Sequence, residues 1–175
     1  SWRELLTIET SAAITRRSEE FDLRWHLEIF LKVCDAVAFA HAHNIVHRDL
    51  KPGNVMLGDF GEVMVMDWGL AFDISPEGDR GLATPRALMS PIAGTPAYMA
   101  PEMVRGEVNL LGTATDIYLL GGILFEIVTG LPPHFRTDPY EVIAHVASGQ
   151  IDRLQPRPGL TREARQLERI IVTAM

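Results

Sequence analysis

The 175 residues are enough for one domain with a real core, and 47% hydrophobic against 22% charged residues is the balance of an ordinary folded chain. A net charge of −7 gives no general pull on polyanions, which argues against a nucleic-acid partner. The single cysteine, Cys34, excludes an internal disulfide, and the most apolar run, residues 117–128, is too short and too interrupted by Gly121, Gly122 and Glu126 to be a membrane segment.

Residues 1–6 can form a short helical turn, and residues 7–18 are polar and irregular. A long helix is predicted over residues 21–43, with Leu27, Leu31, Cys34 and Ala38 marking one face and Asn44 as its stop. The period then changes. Ile45 and Val46 read as a short strand, and residues 55–57 and 63–66 as two more, joined through Gly58-Asp59-Phe60-Gly61-Glu62 into a hairpin. Met56, Met64 and Met66 alternate with apolar neighbours and read as core. Residues 73–96 are rich in Gly, Pro, Ser and Thr and lack sustained periodicity, the mark of a functional or disordered loop. Helix returns near residues 101–104. A strongly apolar helix over 115–129 ends at Gly130 and Pro132-Pro133, and an amphipathic one over 139–148 ends at Gly149. A last helix covers 161–175, with Glu163 early in it as the macrodipole prefers. The opening without Met and the end inside an apolar run suggest a fragment.

The chemistry concentrates in His47-Arg48-Asp49-Leu50-Lys51-Pro52-Gly53-Asn54, between two short strands. Asp49 can take a proton from a hydroxyl, Lys51 can neutralise a migrating phosphoryl group, and Asn54 can offer a carbonyl oxygen to a hard cation such as Mg²⁺. Asp67, in Met66-Asp67-Trp68-Gly69, is the next acid in a strand context and the natural second metal ligand. Base, cation, amide and carboxylate at this spacing make a phosphoryl-transfer set, in which catalysis is mostly positioning and electrostatics. His41 and His43 suggest a metal cluster with His47 only at first sight, since both end a helix, where imidazolium suits the dipole.

These residues resemble the signature of eukaryotic-like Ser/Thr protein kinases, in wording close to the bacterial members. Residues 47–54 look like the catalytic loop, Asp67-Trp68-Gly69 like the metal-binding DFG element with Trp in place of Phe, and Ala100-Pro101-Glu102 like the APE element. Residues 94–99 resemble the substrate-docking loop, and residues 116–121 the start of the central buried helix, whose Asp116 braces the catalytic loop. The motifs stand in the family's order across nearly the whole chain.

The resemblance implies a mainly α fold with short β hairpins, the C-lobe of the two-lobed kinase domain over residues 1–175. It implies transfer of the ATP γ-phosphoryl group to protein Ser or Thr hydroxyls in the cytoplasm. Asp49 and Lys51 would be catalytic; Lys51, Asn54 and Asp67 would hold ATP and Mg²⁺; Thr95 would contact Asp49 and Lys51; Glu102 and Asp116 would be structural. Lys51 marks the Ser/Thr branch. Ser90 and Thr84 are candidate phosphosites, with Arg48 placed to dock a phosphate.

The first glycine is Gly53, so no Gly-rich phosphate loop precedes the catalytic loop. The only lysines are Lys32, in the long helix, and Lys51, so the lysine that grips the α- and β-phosphates is missing too. The isolated stretch is therefore expected to be inactive, with N-lobe and final helix absent and Glu102 parted from the arginine that the family gives it. A pseudokinase or scaffold is the alternative if an N-lobe lacks its lysine. A small-molecule kinase of the aminoglycoside type fits less well, because the APE and docking segments are present.

Overall fold

The computed structural model describes residues 1–8, 23–75, 83–85 and 88–175. Its elements are α1 (Trp2–Ile8), α2 (Leu23–Ala42), β1 (Ile45–Val46), β2 (Val55–Leu57), β3 (Val63–Val65), β4 (Phe72–Asp73), β5 (Thr84–Pro85), α3 (Pro101–Arg105), α4 (Thr113–Thr129), α5 (Pro139–Ala147) and α6 (Thr161–Ala174). The fold is mainly helical, with the short strands confined to its middle. Residues 9–18 of the expected irregular stretch, and Glu77, Asp79, Arg80 and Arg86 of the long loop, lie outside the described residues.

Helix α4 is the central element. From Tyr118 to Val128 every residue is buried, as an all-round apolar helix requires. Gly121 lets α6 come close, since a Cβ there would stand 2.7 Å from Met175 Cγ and 2.9 Å from Ala174 Cβ. Gly130, at φ 86°, closes α4 in the left-handed conformation that glycine adopts without strain.

Helix α2 buries His26, Ile29, Val33, Val37 and Ala40. The expected face was wrong: Leu31 and Ala38 are exposed, and Leu27 and Cys34 only half-buried. The helix is apolar on more than one side, so its period allows two stripes. Contact with α1 helps choose between them, because Trp2 Nε1 donates to His26 Nδ1 at 2.9 Å in the interior. The Cys34 thiol is pushed up to about 11, mainly by burial, as suits a packing residue. The helix ends where Asn44 turns left-handed at φ 62°.

Two small sheets follow. β1 pairs antiparallel with β4, which pairs parallel with β5. β2 and β3 form the expected hairpin, with Met56 opposite Met64. The placing of Met56, Met64 and Met66 in the core is overturned, for they are 43%, 47% and 46% exposed. The hairpin packs on one face only. Val55, Leu57, Val63 and Val65 turn inward, and the alternation of a strand puts the thioethers on the other side. Among the described residues no helix is long and apolar enough to cross a membrane.

Candidate active site

The loop between β1 and β2 is fixed from below by α4. Asp116 Oδ2 accepts from the His47 backbone N–H at 2.8 Å and Oδ1 from that of Arg48 at 2.9 Å. His41 Nε2, at the end of α2, lies 2.8 Å from Asp116 Oδ2. Asp116 is fully buried, and these partners account for both its oxygens. They also hold Arg48 at φ 70°, a left-handed conformation that a non-glycine residue adopts at a cost.

His47, fully buried, ties this loop to β3. The Asp49 N–H donates to His47 Nδ1 at 3.2 Å, so the ring proton sits on Nε2 and is donated to Met66 O at 3.0 Å. Burial lowers the His47 pKa and keeps the neutral tautomer that this arrangement needs.

Above this base stand the polar side chains. Asp49 Oδ2 accepts from Lys51 Nζ at 2.6 Å, and Asp49 Oδ1 from Thr95 Oγ1 at 2.7 Å. Lys51 Nζ also reaches Thr95 Oγ1 at 2.5 Å. Asn54, in the 3₁₀ turn Pro52–Asn54 that Pro52 opens, donates through Nδ2 to Asp49 O at 2.8 Å and Oδ2 at 3.1 Å. With its nitrogen so engaged, the Asn54 side-chain oxygen is the end left for a cation.

Asp67 comes to the same edge through the backbone. The Met66 N–H donates to Asn54 O at 2.8 Å, so the residue after Met66 leaves β3 beside Asn54. Asp67 is exposed and left-handed at φ 61° and ψ 63°. Trp68, 38% exposed, packs its ring 4.5 Å from that of His47. Among the described residues no three His, Cys, Asp or Glu side chains gather into a metal cage. A cation held by Asn54 and Asp67 would complete its shell with phosphate and water oxygens, the habit of Mg²⁺.

Arg48 is 1% exposed, lies over the Phe72 ring at 5.5 Å, and donates through Nη2 to the Ser90 backbone oxygen at 2.8 Å. Ser90 is exposed, and its Oγ donates to Ile92 O at 3.1 Å. Thr84 is exposed in β5, opposite Phe72. Glu102 is half-buried, and its Oε1 accepts from Thr115 Oγ1 at 2.9 Å.

One buried pair escaped the sequence reading. The Tyr98 hydroxyl donates to Glu126 Oε2, joining the loop at residues 94–99 to the middle of α4. Burial holds the Glu126 carboxyl above its ordinary range, with the Tyr98 bond, Arg3 and Arg157 acting the other way. A lone glutamate in an apolar helix was the available signal, because a buried carboxylate needs a partner. In the sequence His41 is only a helix-end charge, and its place on Asp116 has no local signature.

A family model described as protein kinase domain matches residues 3–169. The chain belongs to the protein kinase family. Among curated kinases, the serine/threonine-protein kinase PknD of Protochlamydia amoebophila is 41% identical over 120 residues, 63% of this chain and 12% of that protein. The serine/threonine-protein kinase PknB of Mycolicibacterium smegmatis is 33% identical over 150 residues, 85% of this chain and 22% of that protein. The chain thus resembles bacterial Ser/Thr kinases while spanning less than a quarter of the length of either relative.

Proposed function

We propose that residues 1–175 are the C-lobe of a kinase domain that transfers the ATP γ-phosphoryl group to Ser or Thr hydroxyls of proteins, in the cytoplasm where ATP is abundant. The observation that carries this reading is the Asp49 carboxylate standing within hydrogen-bond reach of Lys51, Thr95 and Asn54 at once. In the reaction a substrate hydroxyl approaches Asp49. Its oxygen forms a bond to the γ-phosphorus as the bond to the β-phosphate oxygen breaks, and its proton passes to the carboxylate. Lys51, already beside that carboxylate, offsets negative charge on the group in flight. The Asn54 oxygen and the Asp67 carboxylate would hold Mg²⁺, which neutralises phosphate charge when bound. The exposed thioethers of Met56 and Met64 give an apolar surface on the hairpin that leads from Asn54 to Asp67.

Residues 1–175 contain no glycine before Gly53 and no lysine besides Lys32 and Lys51. The α- and β-phosphates must therefore be gripped by other parts of the complete protein, and this stretch alone is expected not to turn over. We also propose Ser90, and after it Thr84, as sites of autophosphorylation. Arg48 already holds the Ser90 main chain, so a phosphate there would lie near a guanidinium.

The test is an assay of the complete protein with ATP and Mg²⁺ on Ser, Thr and Tyr peptides, with mass spectrometry of the enzyme itself. Phosphate on Ser or Thr is expected. Transfer to Tyr alone, or none together with no nucleotide binding, would favour a different specificity or a scaffold. A fully active enzyme free of phosphate between residues 73 and 96 would remove the autophosphorylation proposal and leave the transfer reading intact.

A further inference from the structure

Asp67 holds a left-handed conformation that most non-glycine residues avoid and that Asp adopts only occasionally, at an exposed edge. Something must keep it there. Met66 N–H points to β2, where it meets Asn54 O. Strand alternation therefore turns the Val65 carbonyl to the opposite side, the outer edge of the two-stranded sheet. That carbonyl has found a donor: Trp68 Nε1 bonds to Val65 O at 2.9 Å. The same indole lies against His47, whose Nε2 holds Met66 O. The carbonyls of the two residues before Asp67 are thus both clamped, one by the side chain that follows Asp67 and one by the catalytic loop. A phenylalanine at 68 could keep the ring contact with His47, but it has no N–H to give Val65.

We propose that Trp68 is a positioning residue whose indole N–H, bonded back to Val65, holds Asp67 in the conformation that presents its carboxylate to a divalent cation. This rests on reading Asp67 as a metal ligand. The bond is a single neutral one at a partly exposed site, so its loss is expected to weaken cation binding about 3- to 10-fold. The indole N–H bond itself goes to Val65 and involves none of Asp49, Lys51 and Thr95.

The test uses the complete protein and measures Mn²⁺ binding in the presence of ADP by electron paramagnetic resonance, together with hydrogen exchange of the amides of residues 67–69. Trp68→Phe, and replacement of Trp68 by 3-benzothienylalanine, which keeps the bicyclic shape without the N–H, should both weaken Mn²⁺ by that factor. Both should speed exchange at 67–69 and leave the peptide KM and the melting temperature unchanged. Asp67→Asn is the control. If it abolishes Mn²⁺ binding while both Trp68 replacements bind as wild type, the clamp is refuted and the ligand assignment stands. If Asp67→Asn binds Mn²⁺ normally, the ligand assignment itself is refuted, and the proposal with it.

Discussion

The two arms of the candidate site are built in opposite ways. From His47 to Leu50 every residue is buried, whereas from Met66 to Gly69 every residue is exposed. The first arm hangs from a buried carboxylate, Asp116, which receives two backbone N–H groups and His41. The second is held by one indole bond, one histidine bond and the backbone bond from Met66 to Asn54. On the proposed reading, the first arm carries the general base, which needs a fixed position relative to the hydroxyl, and the interior supplies it. The second would carry a ligand for a cation that arrives with phosphates, which needs access, and an exposed turn provides that at the cost of weaker restraint.

The contrast can be broken most severely at its foundation. Asp116→Ala would leave two buried backbone donors without an acceptor and His41 without its partner. A loss of about 3–5 kcal/mol of folding stability is expected in urea denaturation. Asp67→Ala, on the open arm, should change stability by less than about 0.5 kcal/mol. Similar losses from both would mean that the arms are not held differently.

Legibility in the sequence follows the same division. Asp49, Lys51 and Asn54 are nameable because they share one short loop at a spacing that suits phosphoryl transfer, and Thr95 through the family resemblance; the structure brings Lys51, Thr95 and Asn54 each within hydrogen-bond distance of Asp49. The hairpin, the hinge at Asn44 and the central helix were legible from period and turn residues. The two stripes of α2 were not, since a helix apolar on several sides does not say which one its neighbours will choose. Met56, Met64 and Met66 misled for a related reason. Alternation shows that a strand has two faces, and hydrophobicity on both hides which one is covered. The Tyr98–Glu126 and His41–Asp116 pairs join residues 28 and 75 positions apart, a separation that no local pattern encodes.

The Tyr98–Glu126 pair sharpens the comparison through pH. Glu126 titrates above the ordinary carboxylate range in the folded protein. A group with a raised folded pKa contributes stability that is full below its unfolded pKa and is lost as pH rises through the folded one. Tyr98→Phe removes a bond that favours the carboxylate and so raises the folded value further. The variant should lose about 1–3 kcal/mol near pH 7, less as pH falls and the carboxyl is protonated. Denaturation curves between pH 4 and pH 8 read this; a penalty that grows in acid would contradict it. His134 has the opposite sign. Burial and His145 lower its pKa from 6.5 to about 4, so its contribution is present above pH 6.5 and is lost as pH falls toward 4. His134→Phe should flatten that acid limb.

A smaller effect is expected at Thr95, which joins Asp49 to Lys51. Thr95→Ala should lower kcat about 10-fold through the loss of one charge-assisted link. Thr95→Ser should restore most of it. Equal losses in both variants would place the role in the methyl group rather than the hydroxyl.

The central claim is that Asp49 takes the proton of the accepting hydroxyl, and its most direct test is single-turnover transfer by the Asp49→Asn variant of the complete protein. Asparagine keeps the size of the side chain and removes the basic oxygen. A fall of about 10²- to 10⁴-fold in the rate of transfer is expected, with circular dichroism and ADP affinity unchanged. A variant that keeps more than about a tenth of the wild-type rate would contradict the assignment, since a general base contributes at least about 100-fold.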